Sequence, residues 1–185
     1  MSKVRALISG RPGVGKSTVA KRVFDILSSE GLRTGGIMSP EIREKGVRLG
    51  FKIIDLLDEK EGILAHVNQR NGPSVGKYRV NLEDLEAVGV TAIEKAIKQA
   101  DWVLIDEIGK MELFSRAFQN AVIRAFDSEK PILAVIPQRY YHPTLKTITR
   151  KSNVRIYEVT LENREVLPEK ISSDILLVLK GRRED

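Results

Sequence analysis

The residues best suited to chemistry lie near the amino terminus. Gly10-Arg11-Pro12-Gly13-Val14-Gly15-Lys16-Ser17 fits the pattern G-x-x-x-x-G-K-[ST] without a mismatch. Glycines at these positions let the backbone curl so that successive N–H groups converge on one anion. A helix starting at the lysine adds its positive end at the same point. In this arrangement Lys16 reaches the β- and γ-phosphate oxygens of a nucleotide, and the Ser17 hydroxyl is a magnesium ligand.

A second acidic feature complements the loop. The apolar run Val103-Leu104-Ile105 ends in Asp106-Glu107, the arrangement known as Walker B. A carboxylate at the carboxyl end of a parallel strand holds magnesium, which makes Asp106 the metal carboxylate. Glu107, next along the chain, points differently and is the candidate base that prepares an attacking water. Glu112 is held in reserve for the same role. Asp106-Glu107-Ile108-Gly109 also spells D-x-x-G, but no N-K-x-D follows later in the chain. A Ras-like switch is therefore disfavoured.

Charge that develops on a transferred phosphoryl group calls for a cation. Arg11, Arg43, Arg79 and Arg139 form the pool, and spacing does not choose among them. Arg139-Tyr140-Tyr141 follows one buried strand, and Thr160–Arg164 follows another. Both fall at the edge where α/β sheets bind ligands, so Arg139, Thr160, Asn163 and Arg164 are candidates for contacts to base or ribose. Two tyrosines beside an arginine are a thin signature for stacking on single strands, and nucleic acid is not expected as a partner.

These residues need a framework to hold them. Val4–Ser9, Trp102–Ile105, Pro131–Ile136 and Val154–Val159 read as buried strands. Helical periodicity places Val19, Ala20, Val23, Phe24 and Leu27 on one face before Gly31. A second helix covers Val90–Gln99, split by Gly89 from a turn that Asn81 and Asp84 begin. A third carries Phe114, Ala117, Phe118, Ala121, Val122 and Ala125, and a fourth follows Pro168 with Ile171, Ile175, Val178 and Leu179. Between the first helix and Asn81 the period changes. Leu32–Leu57 reads as two antiparallel strands joined through Arg43–Gly46, with short strands at Ile63–Val67 and Val75–Val80. The pattern predicts one α/β domain over residues 1–185: a three-layer sandwich with a mostly parallel sheet, helices on both faces and a β-hairpin insertion after the first helix.

Composition narrows the classes further. The chain has 185 residues and no cysteine, so disulfides, thiol nucleophiles and thiolate-bound metals are excluded. With only His66 and His142 present, a histidine-rich metal centre is not expected either. Net charge is +6, with 30% charged and 42% hydrophobic residues, values typical of a globular chain. Many charges and no cysteine also suit a thermophile. No apolar run approaches the roughly 20 residues that span a bilayer, and Val4–Ile8 leads into glycines rather than a cleavage site. The expectation is a cytoplasmic protein without membrane contact.

The run Asp106-Glu107-Ile108-Gly109-Lys110-Met111-Glu112-Leu113, together with the phosphate loop, resembles a family of small nucleoside-triphosphatases first known from thermophiles that has a human cancer-related member. Gly35-Gly36-Ile37 with Pro40-Glu41-Ile42-Arg43, Arg48-Leu49-Gly50-Phe51, Val75-Gly76-Lys77-Tyr78 and Thr160-Leu161-Glu162-Asn163-Arg164 extend the likeness over nearly the whole chain. The resemblance implies a P-loop NTPase fold related to nucleotide kinases and slow, Mg²⁺-dependent hydrolysis of several nucleoside triphosphates. It assigns phosphate binding to Gly10, Arg11, Pro12, Gly13, Val14, Gly15, Lys16, Ser17 and Thr18. A second nucleotide-contacting segment follows at Val103, Leu104, Ile105, Asp106, Glu107, Ile108, Gly109 and Lys110.

The reading is therefore Mg²⁺-dependent hydrolysis of ATP, GTP and related nucleotides to diphosphate and phosphate. Lys16 and Glu107 would be catalytic, with Ser17 and Asp106 at the metal. One alternative is a phosphotransferase whose acceptor site lies under the insertion, with Arg43, Arg70 and Arg79 as contacts to an anionic acceptor. Another is a nucleotide-controlled binding switch.

Overall fold

The computed structural model describes residues 4–181. In chain order, β1 (Arg5–Ser9) leads into α1 (Lys16–Ser29) and β2 (Thr34–Met38). Five strands come next: β3 (Glu41–Glu44), β4 (Val47–Asp55), β5 (Glu61–His66), β6 (Ser74–Val75) and β7 (Tyr78–Val80). α2 (Leu82–Asp84), a π-helical turn (Leu85–Val90) and α3 (Thr91–Gln99) run on without a break to β8 (Trp102–Asp106). A 3₁₀ turn (Glu112–Phe114), α4 (Arg116–Asp127), β9 (Ile132–Val135), α5 (Pro143–Thr149), β10 (Val154–Glu158) and α6 (Leu167–Gly181) complete the chain.

All ten strands join one mixed sheet, in the order β10-β1-β9-β8-β2-β4-β5-β7-β6, with β3 hairpinned onto β4. From β10 to β2 every pair is parallel, and from β2 onward every pair is antiparallel. Strand alternation sends side chains of the parallel half to opposite faces. Ala6, Ile8, Trp102, Leu104, Leu133 and Val135 pack with α1 and α6. Leu7, Val103, Ile105, Ile132 and Ala134 pack with α3, α4 and α5. Apolar residues on both faces are what a strand buried between two helical layers requires. At the sheet's amino-terminal edge the buried Arg5 donates to the carbonyls of Phe126 and Ser152 at 2.7 and 3.1 Å. Its charge lies at the negative end of α4.

The α1 helix ends as its sequence implies. Gly31 adopts φ 76°, and the Leu32 N–H reaches the Leu27 carbonyl at 3.1 Å. Asn81 caps α2 by accepting from the Asp84 N–H at 3.0 Å.

Several sequence expectations need correction. The run ending at Met38 is β2, which pairs antiparallel with β4 as expected, but only through Ile37 and Met38, and pairs in parallel with β8 along its whole length. The true hairpin pairs β3 with β4 around Lys45-Gly46. The insertion is correspondingly larger than a hairpin, because Val75–Val80 breaks at Gly76 into β6 and β7. Gly89 does not split the helix. It lies within the π-helical turn, where a Cβ would come within 2.5 Å of Ile53 Cδ1. Val154–Val159 is an edge strand with an open face, Ile156 being 52% exposed, and Phe114 precedes α4 and is likewise exposed. α5 has no counterpart in the sequence reading, since its seven residues are too short to show a helical period. Among the described residues, no helix is long and apolar enough to cross a membrane.

Candidate active site

β1 ends at Ser9, and the chain turns through Gly10–Gly15 before α1 begins. The turn depends on glycine at Gly13 and Gly15, whose φ angles of 76° and 111° disfavour any side chain. Val14 N–H closes onto the Arg11 carbonyl at 3.2 Å, and Val19 N–H starts the helix on the Gly15 carbonyl at 2.9 Å. The Lys16 ammonium donates to the carbonyls of Gly10 and Arg11 at 2.9 and 3.1 Å, so it lies across the loop it serves.

β8 supplies the other half. Its neighbour β9 separates it from β1, so the acidic strand is two strands away from the loop, about 10 Å across the sheet. The first turn of α1 spans that gap. The Ser17 hydroxyl donates to Asp106 Oδ1 at 3.1 Å, although the two residues are 89 positions apart. Val103, Leu104, Ile105 and Ile108 are wholly buried in the two cores. Of the expected second segment, these four have their side chains in the cores on either side of Asp106 and Glu107.

Three carboxyls gather at this edge, and each is driven toward its neutral form. Burial lifts Asp106 to about 6, against the Ser17 hydrogen bond and the Lys16 charge. Burial raises Glu107 as well, and Lys16 opposes it. Glu112 is pushed up to about 8, first by burial and then by the charge of Glu107. Glu112 Oε2 accepts the Gly109 N–H at 3.0 Å. A Cβ on Gly109 would come within 2.3 Å of Glu107 Oε1 and 3.0 Å of Glu112 Oε2. The glycine of the D-x-x-G string therefore makes room for two carboxyls, a packing role unrelated to a GTPase switch. The peptide bond joining Asp106 and Glu107 is cis.

A cleft of about 670 Å³ opens over the loop, lined by Pro12, Gly13, Lys16, Thr18, Glu107 and Arg139 among others. Glu41 enters it from β3, held by Arg43 at 2.6 Å and Arg48 at 2.7 Å. The Arg48 hydrogen bond leads in keeping its carboxyl below the usual range. Sequence reasoning missed Glu41 because the hairpin that delivers it was misplaced. Pro137 and Gln138 were also missed, although they adjoin Arg139 after β9.

Two of the four pooled arginines are committed to partners, and Arg11 is exposed and does not line the cleft. Arg43 is bound to Glu41 and the Gly46 carbonyl, and Arg79 to the Gly72 carbonyl. Arg139 lines the cleft and has no ion pair or hydrogen-bond partner among the described residues. Thr160, Asn163 and Arg164 do not line this cleft but belong to a turn that adjoins the loop at Gly10 and Gly15. Thr160 and Asn163 hydrogen-bond each other across that turn, while Arg164 donates to the Val14 carbonyl of the loop at 3.3 Å. Lys110 lines a second, smaller cavity beyond Glu107.

The geometry can be set beside known proteins. A family model described as "NTPase" matches residues 5–172. The chain belongs to this NTPase family. It is 47% identical over 176 residues to the nucleoside-triphosphatase THEP1 of Thermofilum pendens, covering 95% of this chain and 97% of that one. The nucleoside-triphosphatase THEP1 of Thermotoga maritima is 43% identical over 180 residues, with 97% and 98% covered. Among solved structures, THEP1 from the hyperthermophile Aquifex aeolicus superposes with a TM-score of 0.81 at 35% identity, covering 93% of this chain and 99% of that one. A human cancer-related nucleoside triphosphatase gives 0.76 at 31% identity, covering 92% and 96%. The mixed sheet with helices on both faces is thus the P-loop NTPase fold of that family.

Among the described residues, no group of three or more carboxylate or imidazole side chains is placed to hold a metal by itself. The donors that do face each other, the Ser17 hydroxyl and the Asp106 carboxylate, are all oxygen. They fit a hard cation that takes its remaining ligands from phosphate and water.

Proposed function

We propose that this protein hydrolyses nucleoside triphosphates, ATP and GTP among them, to the diphosphate and phosphate in a magnesium-dependent reaction. The observation that carries the reading is that Lys16, Ser17 and Glu107 line one cleft while Asp106 accepts from the Ser17 hydroxyl. The names of its relatives support the reaction class.

Loop amides and the Lys16 ammonium bind the β- and γ-phosphate oxygens and hold the γ-phosphorus in place. Ser17 and Asp106 would hold magnesium, which when bound neutralises phosphate charge. Glu107, which lines the cleft, orients a water and takes one of its protons as the oxygen attacks phosphorus. The bond from the γ-phosphorus to the bridging oxygen breaks, and the diphosphate departs with its electron pair. Arg139, on the opposite wall with its guanidinium uncommitted, stabilises the equatorial charge of the transition state.

The test is phosphate release from ATP and GTP with magnesium, run beside Lys16→Ala. The variant is expected to lose about 10³-fold in kcat, comparable to removal of a principal charge-stabilising donor. Full retention would discard the reading.

A further inference from the structure

The cavity beyond Glu107 is larger than hydrolysis needs. It measures about 280 Å³ and shares Ser17, Glu41 and Glu107 with the phosphate cleft, so Glu107 stands at the junction of the two. A hydrolase needs space there for one water, whose share of liquid volume is about 30 Å³. The cavity offers several times that volume, just below the range of about 300–1,000 Å³ for small-molecule sites.

The lining also differs from that of a water site. Phe51, Leu64, Val75 and Met111 form an apolar wall contributed mostly by the antiparallel half of the sheet. Ser39, on the same lining, has a buried hydroxyl with no hydrogen-bond partner. A buried hydroxyl without a partner carries a desolvation cost that a bound polar group would remove. Three of the carboxyls present are occupied: Glu41 holds two arginines, Asp106 accepts from Ser17 and Glu112 accepts from Gly109, which leaves Glu107.

No arginine lines the cavity; Arg43 and Arg48 are held on the Glu41 carboxylate, and Arg79 on the Gly72 carbonyl. A phosphate-bearing acceptor would meet carboxylates with only Lys110 to balance them. The site suits a molecule with one flat, weakly polar face and hydroxyls at its other end.

We propose that this second cavity is an acceptor site for an uncharged nucleoside whose hydroxyl replaces water in line with the γ-phosphate. The proposal rests on the assignment of the phosphate loop and Glu107 made above. The nucleoside O–H gives its proton to the Glu107 carboxylate as its oxygen bonds to the γ-phosphorus. The bond from that phosphorus to the bridging oxygen breaks, and the nucleoside diphosphate leaves with the electron pair. The products are diphosphate and nucleoside monophosphate, and Glu107 returns its proton to solvent.

The full chain is incubated with magnesium and γ-labelled ATP, with adenosine, cytidine, guanosine or uridine added singly. The corresponding monophosphates run in parallel. Label is expected on at least one nucleoside at ten or more times the rate of phosphate release, and on none of the monophosphates. Val75→Trp, which fills the cavity from its edge, should reduce transfer at least tenfold and leave phosphate release within twofold; Val75→Phe is the milder version if the first does not fold. Normal phosphate release with no nucleoside labelled overturns the proposal and leaves the hydrolase intact, as does label on the monophosphates alone. Absence of both label and free phosphate removes the hydrolase reading and the proposal with it.

Discussion

Strands β1, β8 and β9 of the parallel half bury every residue except Ser9, which is half-buried, whereas β3 of the antiparallel half buries none. Along β4 the buried positions are Gly50, Ile53 and Asp55, and the opposite face carries ion pairs such as Lys52 with Glu61 at 2.6 Å. The difference divides the labour. A strand packed on both faces fixes the residue at its end, and Asp106 and the phosphate loop are fixed in this way. A strand packed on one face contributes a wall, and β3, β4, β5 and β6 supply Glu41, Phe51, Leu64 and Val75. Chemistry belongs to the first half and the shape of the site to the second. Surface pairs on the open face contribute little to stability, roughly 0–1 kcal/mol each.

That contrast can be broken from either side. Arg139→Ala removes a cation delivered by the parallel half and should lower kcat by at least about 10²-fold, with the thermal midpoint unchanged. A smaller loss, confined to KM, would make Arg139 a binding contact. Ile53→Ala acts on the antiparallel half, where the side chain is fully buried beneath Gly89. It should cost about 2–4 kcal/mol in urea unfolding and leave kcat of the folded protein within twofold. A large fall in kcat at full folding would show that the wall also positions the chemistry.

The subtlest effect concerns Glu112. Its folded pKa of about 8 lies above the ordinary carboxyl value, so the folded state retains a proton that the unfolded chain releases. Stability from this group is therefore full below about pH 4.5 and is lost as pH rises toward 8. Glu112→Gln should flatten the pH dependence of the thermal midpoint in that window, measured without metal or nucleotide. Asp106, raised to about 6, keeps a residual slope of the same sign. Identical profiles for the two proteins would show that Glu112 ionises like an exposed carboxyl.

Much of this site was readable because its signals are local. The loop pattern spans consecutive residues, and Asp106-Glu107 ends an apolar run, so both could be placed without knowing which strands are neighbours. The insertion of β9 between β1 and β8 could not be read, since strand order leaves no mark on periodicity. The parallel pairing of β2 with β8 is not legible because Thr34-Gly35-Gly36 lacks the apolar side chains of its parallel neighbours. Those glycines serve packing: a Cβ on Gly35 would lie 2.5 Å from that of Ala96 in α3. Separation of Arg139 from Arg43 and Arg79 needed the partners of each guanidinium, and the cavity beyond Glu107 needed β4, β5 and β6 in place.

The central claim is that Glu107 acts on the attacking water while the loop binds the nucleotide. Its most direct test compares kcat for phosphate release with the Kd for magnesium–ATP in Glu107→Gln. The account predicts a fall in kcat of about 10²–10⁴-fold with Kd changed less than about threefold. Unchanged turnover at unchanged Kd would contradict it and move the role of base to another group, with Glu112 the nearest carboxyl across Gly109.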